Sequence, residues 1–395
     1  MLDDNTAPMA VESPLPAPAA APRVLEIRFT GSGSEYFRIW AVNLLLTLVT
    51  LGLYLPFAKA RRIRYFYANT LVDGQALSFH GDPWKMFRGF LLLVVLMAAY
   101  TGAGKVSPAA AFVAFLILCV VWPALWRASL QFRLGNTSWR GLRMRFEAPL
   151  KGAYLACAPS YLPAAVLIAT ATQMTPGDAQ EAAPQFSPAM GLYIAAAFAL
   201  MLLMPCSLAL FKRYQHNGYR IADQHSRIKL SIAKVYLLGL KAFGVSLLPA
   251  IGAGVLVSLF SALAVTMGGG PRSSITVGVG MLLGYVLYFA IVMPYTAARM
   301  QNLVWNGTRS ESLRFHSTLS FSSLCWLTLK NWGLTALTLG LYRPFAAVSA
   351  ARMRLEAVSI ESDGDPSDWV ATAHAGHADA TGDIAGDFFG IDMGL

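Results

Sequence analysis

The sequence predicts a mainly α fold: a polytopic transmembrane helical bundle of six to eight spans, with internal repeats and short cytoplasmic β-hairpins. Three observations predict it. Apolar residues make up 56% of the 395 and charged residues only 13%, about half the charged share of a soluble domain. Several apolar runs reach the roughly 20 residues that a helix needs to cross a bilayer. One sixteen-residue segment also occurs twice: Asn43 to Ala58 returns as Asn331 to Ala346 with 11 identities, including Leu-Gly-Leu-Tyr-x-Pro-Phe-Ala. Repetition of this kind signals a chain assembled from duplicated units.

In chain order, residues 1–23 are rich in Pro and Ala and are expected to be disordered, as are the acidic residues 356–395. Between them, 24–355 form the repeat-built membrane domain. Val24 to Phe29 alternates like a strand, and Gly31-Ser-Gly33 reads as a turn. The spans follow as Phe90 to Leu125, long enough for two, then Gly152 to Thr172, Ala189 to Phe211, Val235 to Val265 and Thr276 to Ala298. Each repeat reads as a span ending near a proline (Pro56, Pro123, Pro205 or Pro294), a basic helical extension, and a hairpin with Asn, Asp or Gly in its turn. Pro159 and Pro163 are candidates for a break within a span.

Charge sets the topology. Residues 36–355 hold 29 Lys and Arg against 7 Asp and Glu. Linkers 59–88, 127–151, 212–241 and 299–330 carry 6, 6, 7 and 4 of those bases, whereas the alternate linkers carry at most 1. The positive-inside rule places the basic set in the cytoplasm, and anionic headgroups account for it without nucleic acid. Two topologies satisfy this map. Either both copies of the repeated segment cross, giving eight spans, or both turn back within the membrane, giving six spans and two re-entrant hairpins.

The chemistry is defined mainly by exclusion. No nucleophile elbow, zinc helix or Walker loop occurs, and no Asp or Glu lies within an apolar run, so neither an enzyme nor a carboxylate relay is expected. Cys119, Cys157, Cys206 and Cys325 are isolated and read as core residues; no metal or cofactor is expected, and His374 and His377 read as solvated. Thr170, Thr172 and Gln173, or Asn43, Thr47 and Thr50, could line a path or simply bond their own helices. The candidate contacts for anionic lipid or solute are Arg61, Arg62, Arg64, Arg127, Arg213, Arg299 and Arg352, which fall at comparable places after the repeat prolines.

Phe29-Thr-Gly-Ser-Gly-Ser-Glu-Tyr-Phe37, Leu51 to Arg62, Tyr65 to Thr70 and Phe79-His-Gly-Asp-Pro83 resemble the YjgN-type bacterial inner-membrane family over residues 24 to about 360. The resemblance implies a multi-pass inner-membrane protein and brings no activity with it. The expected role is transporter- or channel-like, with a basic cytoplasmic face meeting anionic solute or lipid. The alternative is a structural or lipid-organising protein. Expected partners are anionic membrane lipids, and a multi-pass bundle is compatible with homo-oligomers.

Overall fold

The computed structural model describes residues 23–171, 187–268, 270–367 and 370. In order, the elements are β1 (Arg23–Phe29), α1 (Gly33–Val49), α2 (Leu55–Ala68), β2 (Thr70–Val72), β3 (Gln75–Phe79), α3 (Pro83–Val106), α4 (Pro108–Gly135), β4 (Thr137–Trp139), β5 (Leu142–Phe146), α5 (Leu150–Ala171) and α6 (Pro188–His216). They continue as β6 (Tyr219–Ile221), β7 (Gln224–His225), β8 (Arg227–Ile228), α7 (Ile232–Thr266), α8 (Pro271–Trp305), β9 (Thr308–Arg309), β10 (Leu313–Ser317), α9 (Phe321–Leu337), α10 (Arg343–Glu356) and β11 (Val358–Ser362).

The strands run in the order β7-β6-β5-β4-β3-β2-β1-β11-β10-β9-β8, every pair antiparallel. The two ends of that order, β7 and β8, flank Ser226 in one stretch of chain, so the sheet closes into a ring. Closure removes the free edges that a short-stranded sheet would otherwise expose. Strand alternation fills the ring with Leu25, Ile27, Val72, Leu77, Met144, Ile221, Leu313, Phe315 and Ile360. The intervening positions include Arg28, Arg143, Arg145, Arg220, Arg227, Arg309 and Arg314 on the outer wall. The tight turns at Asp73-Gly74 and Arg140-Gly141 place both residues at positive φ, the geometry that suits a two-residue hairpin.

One backbone bond recurs five times round the ring, joining the residue after a strand to the end of an incoming helix. Thr30 N donates to Asn69 O (2.9 Å), His80 N to Asn136 O (2.8 Å), Glu147 N to Gly218 O (2.9 Å), Lys229 N to Gly307 O (2.8 Å) and Thr318 N to Ala357 O (2.9 Å). Five helical hairpins therefore rise from one ring. Three of them are long: α3–α4, α5–α6 and α7–α8 supply six helices with the length and apolarity to cross a membrane. Only 11% to 22% of each apolar window is buried within the chain, so most of that surface requires an apolar solvent. The mainly α membrane bundle expected from composition is the fold that forms.

The other two hairpins, α1–α2 and α9–α10, carry the repeated segment, and both return to the ring. The strand before α1 and the strand after α2 are adjacent (β1 and β2), and so are those flanking α9–α10 (β10 and β11). Among the described residues the architecture is thus six membrane-length helices and two returning hairpins, not eight spans. Their turns match, with Leu51 and Leu339 both at φ 50° and Gly52 and Gly340 at φ 93° and 95°. Every N–H from Thr50 to Leu55 is donated within the turn, the last gap being filled by Tyr54 N to Thr50 Oγ1 (3.0 Å). Thr338 to Arg343 repeats this, with Tyr342 N to Thr338 Oγ1 at 2.9 Å.

Two expectations need correction. Pro159 and Pro163, candidates for a break, lie inside an unbroken α5, whereas Pro123, Pro205 and Pro294 lie inside α4, α6 and α8, whose basic ends continue the same helices as expected. Pro123, Pro163 and Pro294 are buried against neighbouring helices, and that packing offsets the lost ladder bond. Of the prolines that recur with the repeats, Pro56 and Pro344 stand at helix starts, where the missing N–H costs nothing. The stretch after Glu356, expected to be disordered with the rest of 356–395, begins instead with β11 between β1 and β10. Val358, Ile360 and Ser362 alternate inward there, a pattern masked by the acidic composition around it. This also accounts for the second copy lacking a hairpin of its own, because β1 supplies its partner strand. Residues 1–22, His374 and His377 lie outside the described residues.

Candidate functional site: a basic cavity above the ring

Where the helices meet the ring, α2, α3, α4 and α10 enclose a cavity of about 570 Å³. Lys59 and Arg62 enter it from α2, Arg133 from α4 and Arg354 from α10, against an apolar wall that includes Phe66, Met86 and Phe132. Among the described residues, no carboxylate lines it. Lys212 on α6 stands near enough to Arg354 and Arg133 to feel their charge. Gln301 on α8 accepts from Arg354 Nε (2.9 Å) and donates to its backbone carbonyl (2.8 Å). Each helix that leads into the ring thus sends a cation or an amide to one place.

Such convergence is electrostatically costly without a counter-ion, since like charges disfavour each other's ionised form. The cost appears at Lys59, whose ammonium is held below the ordinary lysine range, first by burial and then by the Arg133 guanidinium. The ion pairs among the described residues lie elsewhere, on strands and hairpin ends, as in Arg23–Asp73, Arg140–Asp73 and Arg220–Glu147. Chemically, the cavity offers several N–H donors and concentrated positive charge beside an aromatic and aliphatic surface. That is a setting for an anion carrying an apolar portion.

A second set of arginines on the same helices is already occupied. Arg127 Nε donates to Ala148 O (2.9 Å), Arg213 Nε to Leu230 O (2.6 Å) and Arg352 Nη2 to Gly31 O (2.9 Å). The three carbonyls are equivalent, each two residues beyond a ring strand. On α8 the same job falls to Asn302, which donates to Leu319 O (3.0 Å). These side chains fasten an incoming helix to the start of the outgoing one.

A family model for bacterial proteins of unknown function (DUF898) matches residues 24–388. The chain belongs to this family. It is 24% identical over 359 residues to inner membrane protein YjgN of Salmonella typhimurium (strain LT2), an alignment covering 85% of this chain and 88% of that protein. Shorter matches at 35% identity link it to the proteins of the same name in Escherichia coli O157:H7 and strain K12, covering 32% and 31% of each chain respectively. No solved structure matches.

In this DUF898 chain the seven arginines singled out by sequence fall into three groups. Arg62 lines the cavity. Arg127, Arg213 and Arg352 are the fasteners just described. Arg61 lies over the Tyr54 ring (5.6 Å), Arg64 is exposed on α2, and Arg299 lies over Tyr295 (5.8 Å) in a groove between α7 and α8. Sequence reasoning passed over Lys59, Arg133, Lys212 and Arg354. A signal existed: Arg133 and Arg354 each stand three residues before a helix C-cap, Asn136 and Ala357. The candidate path threonines bond their own helices, Thr47 to Asn43 O (2.6 Å), Thr50 to Leu46 O (2.7 Å) and Thr170 to Val166 O (2.8 Å). Thr172 and Gln173 lie outside the described residues.

Proposed function

We propose that this protein is a non-enzymatic, multi-pass inner-membrane protein that takes an anionic solute or lipid headgroup into the basic cavity, as the entrance of a transporter- or channel-like path. One observation carries the reading: among the described residues, four cations and no carboxylate line about 570 Å³ at the junction of ring and bundle. The density of bases in the ring-side linkers supports a cytoplasmic ring, with anionic lipids as neighbours. The location rests on the names of the relatives together with the six membrane-length helices.

The test is anion uptake into proteoliposomes loaded with the full chain, with inorganic phosphate and then an organic phosphate as probes, comparing wild type with K59Q/R133Q. Uptake by wild type that falls in the variant is the expected result. Equal traces from wild type and empty liposomes would remove the transport reading. The lipid-organising alternative would then lead, and it has its own support in the two self-bonded turns, whose Leu51 and Leu339 are 94% and 95% exposed.

A further inference from the structure

A second basic site lies away from the central cavity, on the flank of the long hairpin α7–α8. Two adjoining hollows, about 560 and 450 Å³, share Lys234, Arg299 and Leu303 and so form one groove. At its ring end stand Lys229, Arg309, Arg314 and His316. Towards the bundle it is lined by Leu237, Leu238, Lys241 and Tyr295. Charge thus thins along the groove to a mainly apolar stem that keeps one deeper cation, Lys241.

The groove has surplus positive charge. Arg309 faces Arg227 on one side and Arg314 on the other in the strand register, an arrangement of like charges that destabilises a sheet unless something neutralises it. Arg314 has Asp363 at 3.5 Å and His316 has Glu361 at 3.2 Å. No described carboxylate pairs with Lys229, Lys234, Arg299 or Arg309.

Depth fixes the kind of anion. Helices α7 and α8 have 35 residues each, about 52 Å at 1.5 Å per residue, against roughly 30 Å of hydrocarbon. Their ring-side ends, which carry Lys234 and Arg299, therefore emerge at the headgroup layer, and Leu237 and Leu238 lie one turn deeper. A free phosphate would leave that apolar stem uncovered.

We propose that the α7–α8 groove binds an anionic phospholipid, its phosphate among Lys234, Arg299 and the ring-end bases and its acyl stem along Leu237, Leu238 and Tyr295. This site is independent of the central cavity and stands whether or not an anion is transported. Native mass spectrometry of the full-length protein, titrated with phosphatidylglycerol, phosphatidylcholine or inorganic phosphate, tests it. Wild type should retain phosphatidylglycerol over phosphatidylcholine. K234Q/R299Q should lose that lipid about thirtyfold, two surface charges being worth roughly 1 kcal/mol each, while K234R/R299K and the cavity variant K59Q/R133Q should keep it. If K234Q/R299Q melts early, R309Q on the outer wall carries the same test with a smaller loss. Undiminished phosphatidylglycerol retention in the charge-removed variants overturns the site. Displacement of the lipid by millimolar inorganic phosphate overturns the lipid assignment in favour of a free-phosphate site.

Discussion

The rim of the ring and the cavity at its centre are built from the same residue type on the same helices, and they do opposite things. Arg127 and Arg133 share α4, and Arg352 and Arg354 share α10 only two residues apart. At the rim, each guanidinium meets a backbone carbonyl that would otherwise lack a partner near the start of a helix. At the centre the bases meet one another, an apolar wall and, at Arg354 alone, the Gln301 amide. What separates a fastener from a ligand-binding group is the acceptor within reach, which residue identity does not encode. The first arrangement contributes stability, whereas the second costs stability and leaves charge for a ligand.

Substitutions can break that contrast. The largest effect should come from K59Q/R133Q, which removes two charge-assisted partners worth about 1.5–3 kcal/mol each. Anion binding by calorimetry should fall at least a hundredfold while the melting temperature holds or rises, and a drop in melting temperature with binding intact would reverse the two roles. Next comes R213Q, which strips its bond from the Leu230 carbonyl and should cost about 1.5–3 kcal/mol in unfolding with anion affinity unchanged.

A subtler contrast is in pH. The Lys59 ammonium is disfavoured in the folded protein, so below the ordinary lysine range the unfolded chain binds more protons at this residue. Its contribution to stability therefore rises with pH across the window between the lowered and ordinary values. Anion binding should run the other way, drawing in a proton and weakening through the same window. Binding titrations in buffers of different ionisation enthalpy would detect that proton, and K59R should abolish it. The smallest effect is expected for R64Q, an exposed position on α2, where stability should change by no more than about 0.5 kcal/mol.

Much of the frame is legible in the sequence. Apolar runs give the six long helices because length and composition decide membrane solubility locally, and Asp73-Gly74 announces its hairpin by turn chemistry alone. The repeated segment leaves its topology open, since a span and a returning hairpin have similar composition; the difference lies in the left-handed Leu51 and Leu339 and in which strands pair. The cavity is legible least. Arg133 and Arg354 are 221 positions apart and meet only because the ring closes, a consequence of pairings no local pattern contains. Pro159 and Pro163 mislead for a related reason, as packing from other helices decides whether a helix tolerates them.

Closure of the ring also sets a timetable. Strand β1 (Arg23–Phe29) pairs on one side with β2 and on the other with β11 (Val358–Ser362), so one edge of it waits through the synthesis of more than 300 intervening residues. At about 5–20 residues per second that edge stays open for tens of seconds, while three long hairpins enter the membrane. A ribosome stalled before residue 358 would leave an exposed strand at each end of an incomplete circle. Strand β11 therefore works as a latch, the pairing that gives β1 its second neighbour.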